Sequence, residues 1–200
     1  HVSPSALAAT ERCPRYRPDG QSNAAADEGT LLHAELEAMV TEPQRNWDAW
    51  IETRNLSAES KGLLQEAAAS LRSIVPDGLA ATKDYKVGGP VPPGVYPECE
   101  LETYPGHHGY IDLLVVPRPG TMTVIDYKFV RSEHDYELQL GAYAKALSEA
   151  DPKFAVIEAR VIAPRLEGES DSYMWTPETL SRVVARIRSV EENADDPFVP

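Results

Sequence analysis

Residues 109–130 read GYIDLLVVPRPGTMTVIDYKFV and contain the clearest structural signal in the chain. This stretch contains two apolar runs, at residues 110–116 and 122–130, and between them a turn at 117–120 that carries prolines and a glycine. Apolar runs of this length, bounded by turn residues, predict buried β-strands. Because the connection is short, the two strands are expected to pair antiparallel. The stretch therefore predicts the centre of a sheet.

The rest of the chain predicts further strands and helices around this hairpin. Apolar and acidic residues alternate over residues 95–104, and residues 155–163 form another apolar segment, so both are predicted strands. Prolines and glycines make residues 76–94 a predicted loop. The segments in which apolar residues recur at three-to-four spacing are predicted helices, at about 27–40, 57–75, 134–149 and 177–192.

The order of these elements indicates the fold class. Residues 1–75 are helical, residues 95–163 form the core of the sheet, and a helix closes the chain. This order predicts an α/β (α+β) fold in which a mixed sheet of about four or five strands is flanked by helices. With no repeat and no clear linker, residues 1–200 are expected to form one domain.

Composition is typical of a folded, water-exposed protein. Hydrophobic residues make up 42% of the chain and charged residues 26%. No apolar run approaches the roughly 20 residues that span a bilayer, and no secretory signal is expected at the N-terminus. The two cysteines, Cys13 and Cys99, form neither a disulfide framework nor a CxxC metal pair. These features predict a reducing, cytoplasmic setting without membrane association.

The charge balance does not favour a nucleic-acid partner. The formal net charge is −13, whereas nucleic-acid-binding domains usually carry a basic footprint. A basic groove on an otherwise acidic surface, an oligomer or a partner protein could compensate for this charge.

Three ionisable residues interrupt the two apolar runs: Asp112, Asp126 and Lys128. A charge within so apolar a strand costs several kcal/mol unless it is paired or bound to an ion. Asp126 and Lys128 are two residues apart, so they share a face of their strand, and the hairpin can bring Asp112 beside them. Two carboxylates and a lysine at one point suit a divalent cation such as Mg²⁺. A buried Asp–Lys ion pair, with Asp112 as its hydrogen-bonding neighbour, explains the same residues equally well.

A series of motifs resembles the RecB-like branch of the PD-(D/E)XK nuclease superfamily. In that family G-x-x-D is followed by D-x-K and then by a helix with Q-x-x-x-Y. The chain has all three in this order, at Gly109–Asp112, Asp126–Lys128 and Gln139–Tyr143. Upstream, the segment GTLLH at residues 29–33 resembles the family's helix with a metal-binding histidine, and residues 3–14 resemble its S-x-S-x-L…C-P segment.

The resemblance implies a restriction-endonuclease-like core and a nuclease that depends on Mg²⁺ or Mn²⁺. Asp112, Asp126 and His33 would bind the metal, together with the backbone carbonyl of Tyr127. Lys128 would act on the attacking water or on the charge that develops on the phosphate.

Two further roles follow from the resemblance, each with an alternative. Gln139 and Tyr143 would hold the active site or the DNA backbone, although the edge of an amphipathic helix also explains them. Among Glu98, Glu100 and Glu102, we favour Glu100 as an additional metal ligand. An outward-facing acidic strand surface explains all three glutamates as well.

The resemblance also bears on cofactors and partners. Some relatives hold an iron–sulfur cluster through four cysteines, but only Cys13 and Cys99 are present, so no such cluster is expected. The leading hypothesis is a phage-encoded DNA exonuclease in the host cytoplasm, with DNA as substrate, a recombination or single-strand-binding protein as partner, and a homo-oligomer as an open alternative. A second hypothesis, which the net charge favours, is a DNA-end or protein-binding module that keeps the fold but cleaves poorly. A third is a hydrolase of small phosphoesters.

Overall fold

The computed structural model of the protein describes residues 2–12, 24–43, 45–129, 136–166 and 171–195, and the backbone alone at 24–27 and 195. Cys13 lies outside these ranges. So do the final residue of the predicted strand at 122–130 and the first residues of the predicted helix at 134–149.

The described residues contain one sheet of five strands, whose order in the sheet is the order in the chain. The strands are β1 (Gly94–Tyr104), β2 (His107–Arg118), β3 (Thr121–Tyr127), β4 (Val156–Ile162) and β5 (Ser172–Trp175). Strand β3 pairs parallel with β4, and the other neighbours pair antiparallel. The predicted mixed sheet and the antiparallel hairpin at its centre are confirmed. The short edge strand β5 was not predicted.

Six α-helices flank this sheet in the described part of the chain. They are α1 (Leu7–Arg12), α2 (Ala24–Val40), α3 (Trp47–Thr53), α4 (Ala58–Arg72), α5 (Glu137–Ala150) and α6 (Pro177–Asp195). Helix α3 lies in a segment for which no element was predicted. Within the described ranges, no helix combines the length and the apolar character needed to cross a membrane.

Two hydrophobic cores lie on opposite faces of the sheet. One, the α5 core, contains the apolar side chains of α5 and α6 with those of every strand, such as Leu147, Val124 and Ile187. The other, the α2 core, contains the inner faces of α2, α3 and α4, and includes Leu36 and Ile125. Both faces are therefore covered, which explains why β3 reads as a continuous apolar run rather than an alternating one.

The alternation of side chains is interrupted on two neighbouring strands. Ile111 and Leu113 are two residues apart, yet Ile111 packs into the α5 core and Leu113 into the α2 core. On β1, Glu98 has a left-handed backbone, with a φ of 47°. Glu98 stands between the pairs Pro97–Leu113 and Cys99–Ile111, so it lies opposite Asp112. The irregular row of the sheet therefore contains two ionisable residues, Glu98 and Asp112.

Candidate active site

Asp126 is a buried carboxylate held from two sides. Its Oδ1 accepts a hydrogen bond of 2.9 Å from the side-chain amide of Gln139 on α5. The Lys128 Nζ lies 2.8 Å from its Oδ2, which has no other donor among the described residues. Only 4% of Asp126 is exposed. This burial raises the pKa of Asp126 to about 6, although the Lys128 ammonium opposes the shift.

Asp112 is fixed by the neighbouring strand and approached by α2. Its Oδ2 accepts a hydrogen bond of 2.7 Å from the backbone N–H of Tyr127, and His33 Nδ1 lies 3.6 Å from the same oxygen. The imidazole meets the rings of Tyr127 and Phe129 edge-on, at centroid distances of 5.8 and 5.7 Å. Burial lowers the pKa of His33, but the nearby carboxylates, chiefly Asp112, outweigh it and the net pKa is raised.

His33, Glu98 and Asp112 form a group that can hold a cation. One ligand atom from each residue lies within 4.8 Å of the other two. Opposite oxygen ligands of a Mg²⁺ ion are about 4.2 Å apart, so small side-chain shifts bring the three atoms onto one ion. Burial is the main cause of the raised pKa of Glu98, and repulsion from the Asp112 carboxylate adds to it. A divalent cation removes this repulsion, so the donor set fits a metal.

Gln139 and Tyr143 lie on the inner face of α5, and both are buried. Burial raises the pKa of the Tyr143 phenol above its usual range, and a hydrogen bond with Gln139 partly offsets this. Gly109 on β2 allows this packing, since a Cβ there would lie 3.3 Å from Tyr143 Cε1 and 3.0 Å from Thr103 Cγ2. The glycine of G-x-x-D and the tyrosine of Q-x-x-x-Y are therefore in contact range.

The sequence model of the PD-(D/E)XK nuclease superfamily matches residues 1–196. The chain belongs to the PD-(D/E)XK nuclease superfamily. No curated protein matches the chain. Membership indicates a metal-dependent nuclease with a restriction-endonuclease-like fold, which the five-stranded mixed sheet and its flanking helices match.

In this PD-(D/E)XK protein, the glutamate beside Asp112 and His33 is Glu98, whereas sequence reasoning favoured Glu100. Glu100 has other partners, with Lys86 Nζ at 2.6 Å and His108 Nδ1 at 3.1 Å. The signal that could have identified Glu98 is strand register, because Glu98 stands directly across from Asp112.

The predicted nuclease residues fall into two adjoining groups. Lys128 and Gln139 both contact Asp126, and Asp112 lies with His33 and Glu98. Their roles, and that of the Tyr127 carbonyl, stay predictions. The Tyr127 phenol is a further feature that sequence reasoning missed: it is buried and has no hydrogen-bond partner in the described part of the chain.

Proposed function

We propose that this PD-(D/E)XK protein is a RecB-like deoxyribonuclease that needs Mg²⁺ or Mn²⁺ and degrades DNA from its ends. The observation that carries the proposal is the group formed by His33, Glu98 and Asp112 directly beside the Asp126–Lys128 pair. An isolated ion pair explains Asp126 and Lys128, but it does not explain why two more carboxylates and an imidazole converge next to them.

The metal would be held by His33, Glu98 and Asp112, with Asp126 and the Tyr127 carbonyl as further ligands. When bound, it would polarise a phosphate oxygen and lower the pKa of a water molecule. Carboxylate ligands suit both Mg²⁺ and Mn²⁺, and the imidazole nitrogen favours Mn²⁺. The proposal therefore expects activity with both ions.

The protein's own residues supply positioning and charge. Gln139 fixes one oxygen of Asp126, which leaves the other oxygen facing Lys128. The Lys128 side chain is 23% exposed, so its ammonium can also reach a substrate phosphate at the surface. There it would stabilise the charge that develops during hydrolysis. The Tyr127 N–H holds Asp112 in place, so β3 orients both carboxylates.

The test incubates the purified chain with linear duplex, circular duplex and single-stranded DNA, each with Mg²⁺, Mn²⁺ or a chelator. We expect metal-dependent loss of linear substrates and no attack on closed circles. Lys128→Ala should lower the rate by about 10²–10³-fold, the range seen when a charge-stabilising donor is removed. Lys153→Ala, an exposed lysine after α5, is the matched control and should cleave like the wild type.

No cleavage under any condition, or equal cleavage by Lys128→Ala, would contradict the proposal. Cleavage of closed circles would show an endonuclease rather than an exonuclease.

We further propose a role in DNA processing or recombination in the cytoplasm of a phage-infected host, with a recombination or single-strand-binding protein as partner.

A second candidate function is a DNA-end or protein-binding module that cleaves poorly. The net charge of −13 motivates it, because long-range repulsion of a polyanion disfavours efficient cleavage of DNA and leaves a protein partner as an alternative. DNA binding that is unchanged by Lys128→Ala, together with no detectable cleavage, would support this candidate. Hydrolysis of a small phosphoester without DNA cleavage would indicate a phosphoesterase.

A further inference from the structure

The sheet continues past the metal-binding group as an exposed surface on its α2 side. Tyr110 is two residues before Asp112 on β2, and Ile111 between them is buried in the α5 core. Tyr110 therefore projects to the opposite, α2 side of the sheet, and Asp112 lies on that side too, since its carboxylate approaches His33 of α2. Tyr110 is 53% exposed, so its ring is accessible to a ligand.

The residues next to Tyr110 form an ordered row across the sheet. Tyr110 pairs with Glu100 on β1, and Lys86 forms a bridge with Glu100 from the other side. Two backbone hydrogen bonds fix the Lys86 segment there, from Val87 N to Glu100 O at 2.8 Å and from Glu100 N to Tyr85 O at 3.0 Å. The lysine is thus held at a defined position.

The carboxylate in this row is already paired with a cation. The Glu100 carboxylate is neutralised by the Lys86 ammonium at 2.6 Å, and His108 Nδ1 lies 3.1 Å from its other oxygen. The Lys86 side chain is 74% exposed, so its ammonium remains accessible to a second anion. An exposed aromatic ring beside an accessible cation is the combination that binds a single nucleic-acid strand.

We propose that Tyr110 and Lys86 form a nucleotide subsite for the strand that enters the active site. Tyr110 stacks on the base of the nucleotide next to the bond that is cut, and Lys86 contacts that nucleotide's phosphate. The row lies one side-chain repeat from the Glu98–Asp112 row, so a strand crossing both would place neighbouring nucleotides on each. This inference rests on the proposed function, since it takes single-stranded DNA as the substrate at the site.

The experiment measures binding without cleavage, in EDTA, with a short single-stranded oligodeoxynucleotide. The oligonucleotide carries 2-aminopurine at one position, which is moved along the strand so that no polarity is assumed. Stacking on Tyr110 should quench the fluorescence at one position. Tyr110→Ala should remove this quenching and weaken binding by roughly tenfold, within the range for loss of one base–aromatic stack. Tyr110→Phe should keep both properties.

Two controls separate stacking from a general loss of structure. Met174→Ala changes another exposed apolar residue, on the opposite edge strand, and should bind like the wild type. An abasic residue at the quenched position should remove the difference between wild type and Tyr110→Ala, because no base is left to stack. Lys86→Ala should weaken binding to the intact and the abasic strand alike.

The outcomes distinguish this subsite from the proposed function. Metal-dependent cleavage with no quenching at any position, or with equal binding by wild type and Tyr110→Ala, overturns the subsite alone. Tyr110-dependent binding without any cleavage supports the subsite and contradicts the nuclease activity. An equal loss on intact and abasic strands for Tyr110→Ala also overturns stacking.

Discussion

At the scale of single residues, Asp126 shows that the site is built at the expense of stability. Its carboxylate is almost fully buried, and the pKa is raised to about 6 in the metal-free protein. An acid with a raised folded-state pKa binds its proton more tightly when folded, so it destabilises the fold above that pKa. The metal-free protein therefore becomes more stable, with respect to this group, as the pH falls from about 6 towards 4.

We predict that Asp126→Asn stabilises the metal-free protein while abolishing cleavage. Asparagine keeps an acceptor for Gln139 but carries no charge, so the gain in unfolding free energy in EDTA at pH 8 should be about 1–3 kcal/mol. The gain should shrink at pH 5, where Asp126 is largely protonated in the fold. Thermal unfolding across this pH range measures both values.

Asp77→Asn is the matched control, because Asp77 is exposed and lies in a loop. It should leave stability unchanged within about 0.5 kcal/mol. A destabilised Asp126→Asn protein at pH 8, or a gain that grows at pH 5, would contradict the idea that the buried charge is the costly feature.

The residue scale also shows what the sequence could and could not predict about the site. Asp112, Asp126 and Lys128 were identified because charges stand out within apolar strands. Glu98 and Glu100 could not be separated this way, because both sit in the same alternating run of acidic residues. Only the strand register and the left-handed backbone of Glu98 place it opposite Asp112.

At the scale of elements, helix α5 carries Gln139 into the site, and its position depends on close packing against α6. A Cβ at Gly141 would lie 2.5 Å from Val183 Cγ2, which is closer than real atoms approach. The glycine therefore sets the distance between the two helices. Since Gly141 is two residues from both Gln139 and Tyr143, a shift of the helix here moves the active site.

We predict that Gly141→Ala destabilises the protein by about 1–3 kcal/mol, the usual result of overpacking a core. Gly62→Ala is the matched control in helix α4, where a Cβ meets nothing within 4 Å. It should stabilise by about 0.5–1 kcal/mol, because alanine favours a helix over glycine. Urea unfolding of both variants measures the difference.

A second substitution tests whether the stability lost in Gly141→Ala comes from overpacking rather than from helix propensity. Val183→Ala in the Gly141→Ala background removes the clashing methyl groups and should recover part of the lost stability. If Gly141→Ala is as stable as Gly62→Ala, the helices are not held at this distance by the glycine.

Element prediction succeeded where the apolar pattern was long and failed where it was short. The strands at the centre of the sheet and the helices α2, α4, α5 and α6 were all expected, with boundaries differing by a few residues. Strand β5 has only four residues, SYMW, and a single buried side chain, so it carries no readable alternation. Helix α3 has seven residues and buries only Trp47 and Ile51, which is too little for a periodic signal.

At the scale of the whole molecule, the net charge of −13 must be reconciled with a polyanionic substrate. The candidate site itself contains more carboxylates than cations, so under the proposed function a bound metal would add to the positive charge that attracts a phosphate. At distances beyond the site, the protein repels DNA, and salt screens this repulsion. A basic DNA-binding protein behaves in the opposite way, since salt weakens its attraction throughout.

We therefore predict that kcat/KM for DNA cleavage rises as NaCl is increased from about 0.01 to 0.1 M at a fixed metal concentration. Over this range the Debye length falls from about 30 to 10 Å, which removes the long-range repulsion but spares contacts within the site. Steady-state cleavage of one oligonucleotide at several salt concentrations measures the slope. A double variant, Glu66→Lys with Glu192→Lys, reduces the net charge on exposed helix surfaces and should flatten that slope without changing kcat. A rate that falls steadily with salt in the wild-type protein would show that a basic surface, rather than the metal, dominates the encounter with DNA.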